Sequence, residues 1–333
     1  MDMKVKDFDS YKIPNRKPWV VLVALVIVAL IVYFFFFRDD SEKNSRLDLN
    51  AIVTDSDDSA SVESSSVVED SGSDAIVIPA KPILPKVVPT GDIALVIDEA
   101  SQFASDERLA EARAKYLVAL KSTNDKSIQL QIEQKLSAVN IKMLLSPREM
   151  PEKENYLVKS GNSLDRIARK YGTTVELIQK SNMLRNPNRI NVGDRLRVFK
   201  GKFSMTCSKS RHDLVVFMNG DFFKRYMVGT GRYGKTPVGT FVIREKIKEP
   251  PWWRPDGSVV PFGNKKDNIL GTRWFSLRAT GETEDVRGYG IHGTWSPESV
   301  GTASSAGCLR MNNEEVEELF IYIPVGTPVM IEE

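Results

Sequence analysis

Residues 289–311 read YGIHGTWSPESVGTASSAGCLRM, and the C-terminal part of the chain is best read outward from them. Cys308 follows two small residues, Ala306 and Gly307, and His292 lies sixteen positions upstream. A free thiol is only a few per cent thiolate near neutral pH, and an imidazole within reach can raise that fraction and act as base. Small residues before the cysteine expose backbone N–H groups, so the amides of Ala306, Gly307 and Cys308 are candidate donors to a developing oxyanion, with Ser305 and Tyr289 bordering them. Arg310 shares a face with Cys308 if the chain is extended there and could hold a substrate carboxylate. On both sides of this stretch run short apolar alternations bounded by Gly, Pro and Asn: 214–218, 222–228, 240–244, 274–277 and 327–331, with one clear helix at 314–323. Residues 203–333 are therefore expected to form a mostly-β domain, sandwich or barrel.

Residues 155–200 change pattern. A strand at 156–159 turns at Ser160-Gly161, and Ser163 can cap a helix with Leu164, Ile167, Ala168 and Tyr171 inside, closed by Gly172. Thr173 or Thr174 starts a second helix, and a loop from Asn182 leads to a closing strand at 195–199, giving a βααβ order. Further upstream, residues 92–146 carry helical periodicity in two runs separated by Ser122-Thr123-Asn124-Asp125, an αα-hairpin weakly similar to a single tetratricopeptide repeat. Arrays of that kind need about three repeats to stand alone, so packing or spacing is its expected role.

Residues 38–91 begin rich in Asp, Ser and Glu and end with Pro79, Pro82, Pro85 and Pro89. Such a composition cannot bury enough apolar surface to offset ordering entropy and is expected to act as a disordered tether. Residues 19–37 are a continuous apolar run, nearly long enough to span a hydrocarbon core of about 30 Å. The run ends without a small-x-small cleavage pattern, and five basic residues precede it within 1–18 against three that follow. The expectation is an uncleaved single-pass anchor in the cytoplasmic membrane, N-terminus cytoplasmic, body exported.

The formal net charge of +2 over 333 residues argues against a nucleic-acid partner. Two cysteines and two histidines cannot build a disulfide framework or a multi-ligand metal site, so no metal or organic cofactor is expected and cysteine chemistry rests on one thiol. Cys207 lacks any His-Gly or Gly-Cys context and is expected to open a strand as an inert thiol; His212, beside Asp213 at a turn, is expected to be solvated. Trp252 and Trp253, between prolines, fit a lid or a loop edge equally.

His292-Gly293 with S-x-G-C-L-R-M at 305–311 resembles the signature of the L,D-transpeptidase catalytic domain, with supporting matches at 231–240 (GRYGKTPVGT), 251–255 (PWWRP) and 268–274 (NILGTRW). The resemblance covers about 130 residues. It implies Cys308 as nucleophile, His292 as proton donor and acceptor, and the Gly293 carbonyl as the group that orients the imidazole. Many members carry His where this chain has Ala306, so that side chain is not expected to be essential. Residues 155–200 resemble a LysM domain, which implies binding to N-acetylglucosamine-containing glycan, with Gly161, Asn162 and the Asn182 loop at the groove. Together these imply an α+β multidomain enzyme acting on peptidoglycan stem peptides and glycan strands, forming 3→3 cross-links through a Cys thioester. Water or a protein as acyl acceptor, and a non-catalytic wall-binding role, are the alternatives.

Overall fold

The computed structural model describes residues 90–333. The expected cytoplasmic segment (1–18), anchor (19–37) and all but the last two residues of the tether (38–91) lie outside them. Among the described residues no helix is long and apolar enough to cross a membrane.

The first three elements are helices α1 (Thr90–Ser105), α2 (Leu109–Lys121) and α3 (Lys126–Leu144), where a two-helix hairpin over 92–146 was expected. The extra break is hidden in the sequence because Glu107, not Gly or Asn, takes the left-handed φ of 62°. Its carboxylate is held there by Lys142 and Arg148. The second break follows the sequence: Asp125 caps α3 by accepting from the N–H groups of Ser127 and Ile128. The three helices share one core with the β-domain. The fully buried Asn140 donates through Nδ2 to the Phe223 carbonyl at 2.9 Å, and Glu133 takes both ends of the Arg225 guanidinium at 2.7 and 2.8 Å. The role is packing. Asn140→Ala is expected to cost about 1–3 kcal/mol of stability, read as a lowered urea midpoint; an unchanged midpoint would remove this side chain from the account of the interface.

The βααβ unit comprises β1 (Lys153–Leu157), α4 (Leu164–Tyr171), α5 (Val175–Ser181) and β2 (Arg195–Phe199), with β1 and β2 antiparallel. Ser163 accepts from the Arg166 N–H, Thr174 from the Leu177 N–H, and Gly172 ends α4 at φ 64°. The strand starts three residues before the expected 156. Its first residue, Lys153, is charged yet buried, with Nζ donating to the Met143 and Ser146 carbonyls at the end of α3. The unit has its own core around Leu164, Ile167, Ile178 and Val198. It is also docked on the β-domain, since Leu177 joins the main core and Glu176 pairs with Lys248 at 2.7 Å.

The remaining elements are β3 (Phe203–Ser208), β4 (Asp213–Met218), β5 (Asp221–Met227), β6 (Thr230–Gly231), β7 (Gly239–Lys248), β8 (Trp252–Trp253), β9 (Val259–Val260), β10 (Arg273–Ala279), β11 (Gly290–Thr294), β12 (Ala303–Ser305), β13 (Leu309–Asn312), α6 (Asn313–Tyr322) and β14 (Pro328–Glu332). Eight strands form one sheet in the order β13-β11-β10-β7-β14-β3-β4-β5. Just past β5, Gly229 exchanges backbone hydrogen bonds of 2.8 and 2.9 Å with Arg310 in β13, so the two edge strands touch and the sheet nearly closes. Of the two expected architectures this is the barrel-like one. A side chain at Gly229 would meet the Ser299 carbonyl at 2.4 Å, so the closing contact requires glycine. β11 and β13 are parallel neighbours, and the crossover between them carries β12, which pairs with β6.

Candidate active site

In β11 and β13, Ile291 faces Leu309 and His292 faces Arg310. Ile291, Leu309 and Met311 are buried in the core shared with Val316 and Leu319 of α6. Alternation therefore sends His292, Arg310 and Cys308, just before β13, to the opposite face. Trp274 of β10 pairs with His292 and stacks on the imidazole, ring centroids 5.7 Å apart. Two glycines make this possible. A Cβ at Gly290 would lie 2.5 Å from the Phe275 carbonyl oxygen and 2.6 Å from the Trp274 ring, and one at Gly293 would lie 2.2 Å from Asn313 Oδ1.

His292 is 2% exposed, and its Nδ1 lies 2.6 Å from the Gly293 carbonyl. A carbonyl can only accept, so Nδ1 carries the proton and Nε2 is the basic nitrogen. Burial lowers the imidazole pKa to about 4, against the opposing pull of the Gly293 carbonyl. Burial also raises the pKa of the Cys308 thiol, against the pull of the Gly290 backbone and the Arg310 charge. Both shifts favour the uncharged form of each group, so His292 is placed to accept the thiol proton. The thiol donates to the Gly288 carbonyl at 3.6 Å in this structure, and catalytic hydrogen bonds of free enzymes commonly tighten only with substrate bound. Arg310 joins none of the ion pairs among the described residues, and its buried Nε has no hydrogen-bond partner.

The loop before Cys308 is braced from two sides. Ser305 Oγ donates to the Cys308 carbonyl at 2.7 Å and accepts from the Gly307 N–H at 2.9 Å. Thr236 Oγ1 donates to the Gly307 carbonyl at 2.8 Å and accepts from the Gly231 N–H at 2.7 Å. Gly307 has φ 142°, and a Cβ there would lie 2.4 Å from the Tyr289 ring, so Tyr289 packs directly on the loop. Because Ser305 takes the Gly307 amide, that N–H is withdrawn from the three expected oxyanion donors, leaving those of Ala306 and Cys308. Ser305 is buried and braces the loop. Ser305→Ala is expected to slow acylation on the order of 10- to 100-fold by loosening the loop and to cost about 1–3 kcal/mol of stability, since two backbone groups lose their buried partner; an unchanged acylation rate would contradict the bracing role. Thr236 and Trp274 carried no assigned role in the sequence reading, although both lie in stretches that match the family, 231–240 and 268–274.

The LysM groove residues fare differently. Asn182 spends both ends of its side chain internally, Nδ2 on the Ile178 and Arg197 carbonyls and Oδ1 on the Arg197 N–H. Asn162 Oδ1 accepts from Tyr156 Oη and the Lys159 N–H, and the Gly161 carbonyl accepts from Arg166. All three hold the hairpin and loop together. Cys207 lies near the end of β3 rather than opening it and is fully buried, its thiol pushed up to about 12 by burial. His212 sits in a turn at φ 51° but is not freely solvated, since its Nδ1 is 3.1 Å from Thr230 Oγ1. Trp252 and Trp253 form a two-stranded hairpin with Val259 and Val260. Trp252 is half-buried under Arg254, and Trp253 is exposed. Among the described residues no group of three or more His, Cys, Asp or Glu could hold a metal.

Comparison with known families identifies both domains. The profile of the YkuD family, the L,D-transpeptidase catalytic domain, matches residues 203–331, and the LysM domain profile matches residues 156–199. The chain is 42% identical over 125 residues to YqjB of Bacillus subtilis, whose name assigns it to the L,D-transpeptidases; the match spans 37% of this chain and 68% of that one. It is 31% identical over 184 residues to YkuD of Bacillus licheniformis, likewise named, spanning 53% of this chain and 97% of the relative. Among solved structures, the catalytic domain of the Enterococcus faecium L,D-transpeptidase aligns over 39% of this chain and 96% of its own, at 21% identity and a TM-score of 0.31.

Proposed function

The chain belongs to the L,D-transpeptidase family, and from that premise we propose that it cross-links peptidoglycan stems through an acyl-enzyme on Cys308. The observation that carries the reading is one face of two adjacent strands bearing a half-buried thiol, a buried imidazole tied through Nδ1 to the Gly293 carbonyl, and a guanidinium without an ion-pair partner among the described residues. His292 Nε2 takes the thiol proton as sulfur attacks the carbonyl of the third stem residue. The amides of Cys308 and Ala306 receive the oxyanion. The peptide C–N bond breaks, His292 returns its proton to the leaving amine, and terminal D-alanine departs with its carboxylate held by Arg310. An amine on a second stem then attacks the thioester, loses its proton to His292, and expels the thiolate, giving a 3→3 link. Water in place of the amine gives carboxypeptidase activity.

LysM and catalytic domains on one chain support action on polymeric wall, where a tethered reactive group gains effective concentration. The apolar run 19–37 supports anchorage of the body on the exported side of the membrane; digestion of the body by protease added to cells with an opened outer barrier and an intact cytoplasmic membrane would support that orientation, and protection until that membrane is breached would contradict it. The enzymatic reading is tested by incubating the full chain with disaccharide-tetrapeptide and separating the products. Released D-alanine with 3→3 dimers supports the transpeptidase, D-alanine alone restricts it to hydrolysis, and neither product overturns it.

A further inference from the structure

A cleft of about 400 Å³ is lined by Tyr289, whose ring packs on Gly307, and by Gly288, whose carbonyl is the contact of Cys308 Sγ. The cleft adjoins the reacting sulfur and is not used by the chemistry described above. Its lining has a strong charge bias: three guanidiniums, Arg244, Arg278 and Arg287, stand against one carboxylate, Asp285. Asp285 is paired at 3.3 Å with Arg287. Arg244 and Arg278 join no ion pair among the described residues.

Arg244 owes its place to a break in the sheet. In the β7–β10 ladder Glu245 faces Ser276 while Ile243 faces Leu277, so Arg244 is the extra, unopposed residue of a bulge. The inward-facing Phe275 and Leu277 are buried, which leaves Trp274, Ser276 and Arg278 on the face that carries His292. Ser276 Oγ is buried in this lining without a hydrogen-bond partner. A concave site with unpaired guanidiniums, an unsatisfied hydroxyl and the Trp274 ring, which also stacks on the base, is built to hold a carboxylate on a peptide lying beside the thiol.

We propose that this cleft reads free carboxylates on a stem peptide, so that the protein favours stems bearing them over stems whose carboxylates are amidated. The proposal rests on the transpeptidase reading above. The carboxylate belongs either to the acyl donor or to the acceptor, which share this chemistry.

Full-chain protein carrying Cys308→Ala is titrated with a tetrapeptide stem bearing free side carboxylates and with its carboxamide counterpart. The free form is expected to bind about tenfold tighter or more, the scale of a charge-assisted hydrogen bond. Adding Arg244→Gln and Arg278→Gln should bring the two affinities together, whereas Arg278→Lys should keep part of the difference. Equal binding by the Cys308→Ala protein, or an equal loss for both peptides in the Gln variants, overturns the proposal. With Cys308 intact, acylation by each donor and aminolysis of the preformed thioester by each acceptor are timed separately. Discrimination in acylation assigns the cleft to the donor, discrimination in aminolysis assigns it to the acceptor, and its absence from both overturns the proposal while leaving the transpeptidase in place. Discriminating binding without any acylation overturns the transpeptidase and leaves the cleft.

Discussion

His292→Gln is expected to lower the acylation rate by about 10²–10⁴, the usual worth of a positioned general base, with the fold retained. The imidazole is buried, stacked on Trp274 and tied through Nδ1 to Gly293, so no other orientation of the ring is on offer. Glutamine fills similar space and has no basic nitrogen. His292→Ala should lose as much activity and also some stability, because it opens a gap beneath Trp274. Circular dichroism and denaturation separate the two effects. The pH dependence carries a sharper test. With a pKa near 4, His292 stays neutral and able to accept a proton down to weakly acidic pH. The acidic limb of kcat/KM should then fall near pH 4, not near the roughly 6.5 of an unperturbed histidine. Stability follows the same group. The folded-state pKa lies below the unfolded one, so between these values the unfolded chain binds more protons and stability falls as pH drops through that window. An acidic limb at about 6.5 would contradict the buried, neutral base.

Cys308→Ala is expected to abolish D-alanine release and dimer formation together, leaving the thermal transition close to that of the parent. Cys308→Ser should be nearly as inactive, since a hydroxyl is a poorer acid than the thiol and the base on hand is weak. The thiol's own reactivity distinguishes a neutral pair from a preformed ion pair. Burial raises its pKa, so alkylation by iodoacetamide should be slow at neutral pH and climb steadily into the alkaline range. Rapid alkylation at pH 6 would mean a thiolate–imidazolium pair already exists in the free protein. Cys207, fully buried with its thiol near 12, should stay unmodified throughout.

The parts of this architecture legible in the sequence are those in which local chemistry and tertiary role agree. Ser163, Gly172, Thr174 and Asp125 each do in the structure what their type does in isolation, capping or ending a helix. The apolar alternations at 214–218 and 222–228 match β4 and β5 within a residue. Legibility fails where a charge is satisfied from far away. Lys153 inside a strand looks like a solvent-facing residue until its partners at the end of α3 are seen, and Glu107, exposed and paired with Lys142 and Arg148, turns the chain left-handed without the Gly or Asn that would mark the turn. The site divides in the same way. The residue types of Cys308 and His292 announce their chemistry, whereas the loop's bracing depends on Thr236, seventy-one positions from Gly307. The Gly307 amide that Ser305 occupies looks free in the string of letters, where a turn's internal hydrogen bonds are invisible. Asn162 and Asn182 show the same limit: the Asn162 amide oxygen accepts from Tyr156 Oη and the Lys159 N–H, and the Asn182 amide bonds the Ile178 and Arg197 backbone, ties that the residue type alone does not announce.

The central claim is that Cys308 carries the acyl group. Full-chain protein is mixed with a tetrapeptide stem in the absence of an amine acceptor, quenched in acid, and weighed intact and after digestion. The mass should rise by the tetrapeptide less its terminal D-alanine, on the fragment containing Cys308, through a bond that hydroxylamine cleaves. An adduct elsewhere, or the same mass gain on the Cys308→Ala protein, would contradict it.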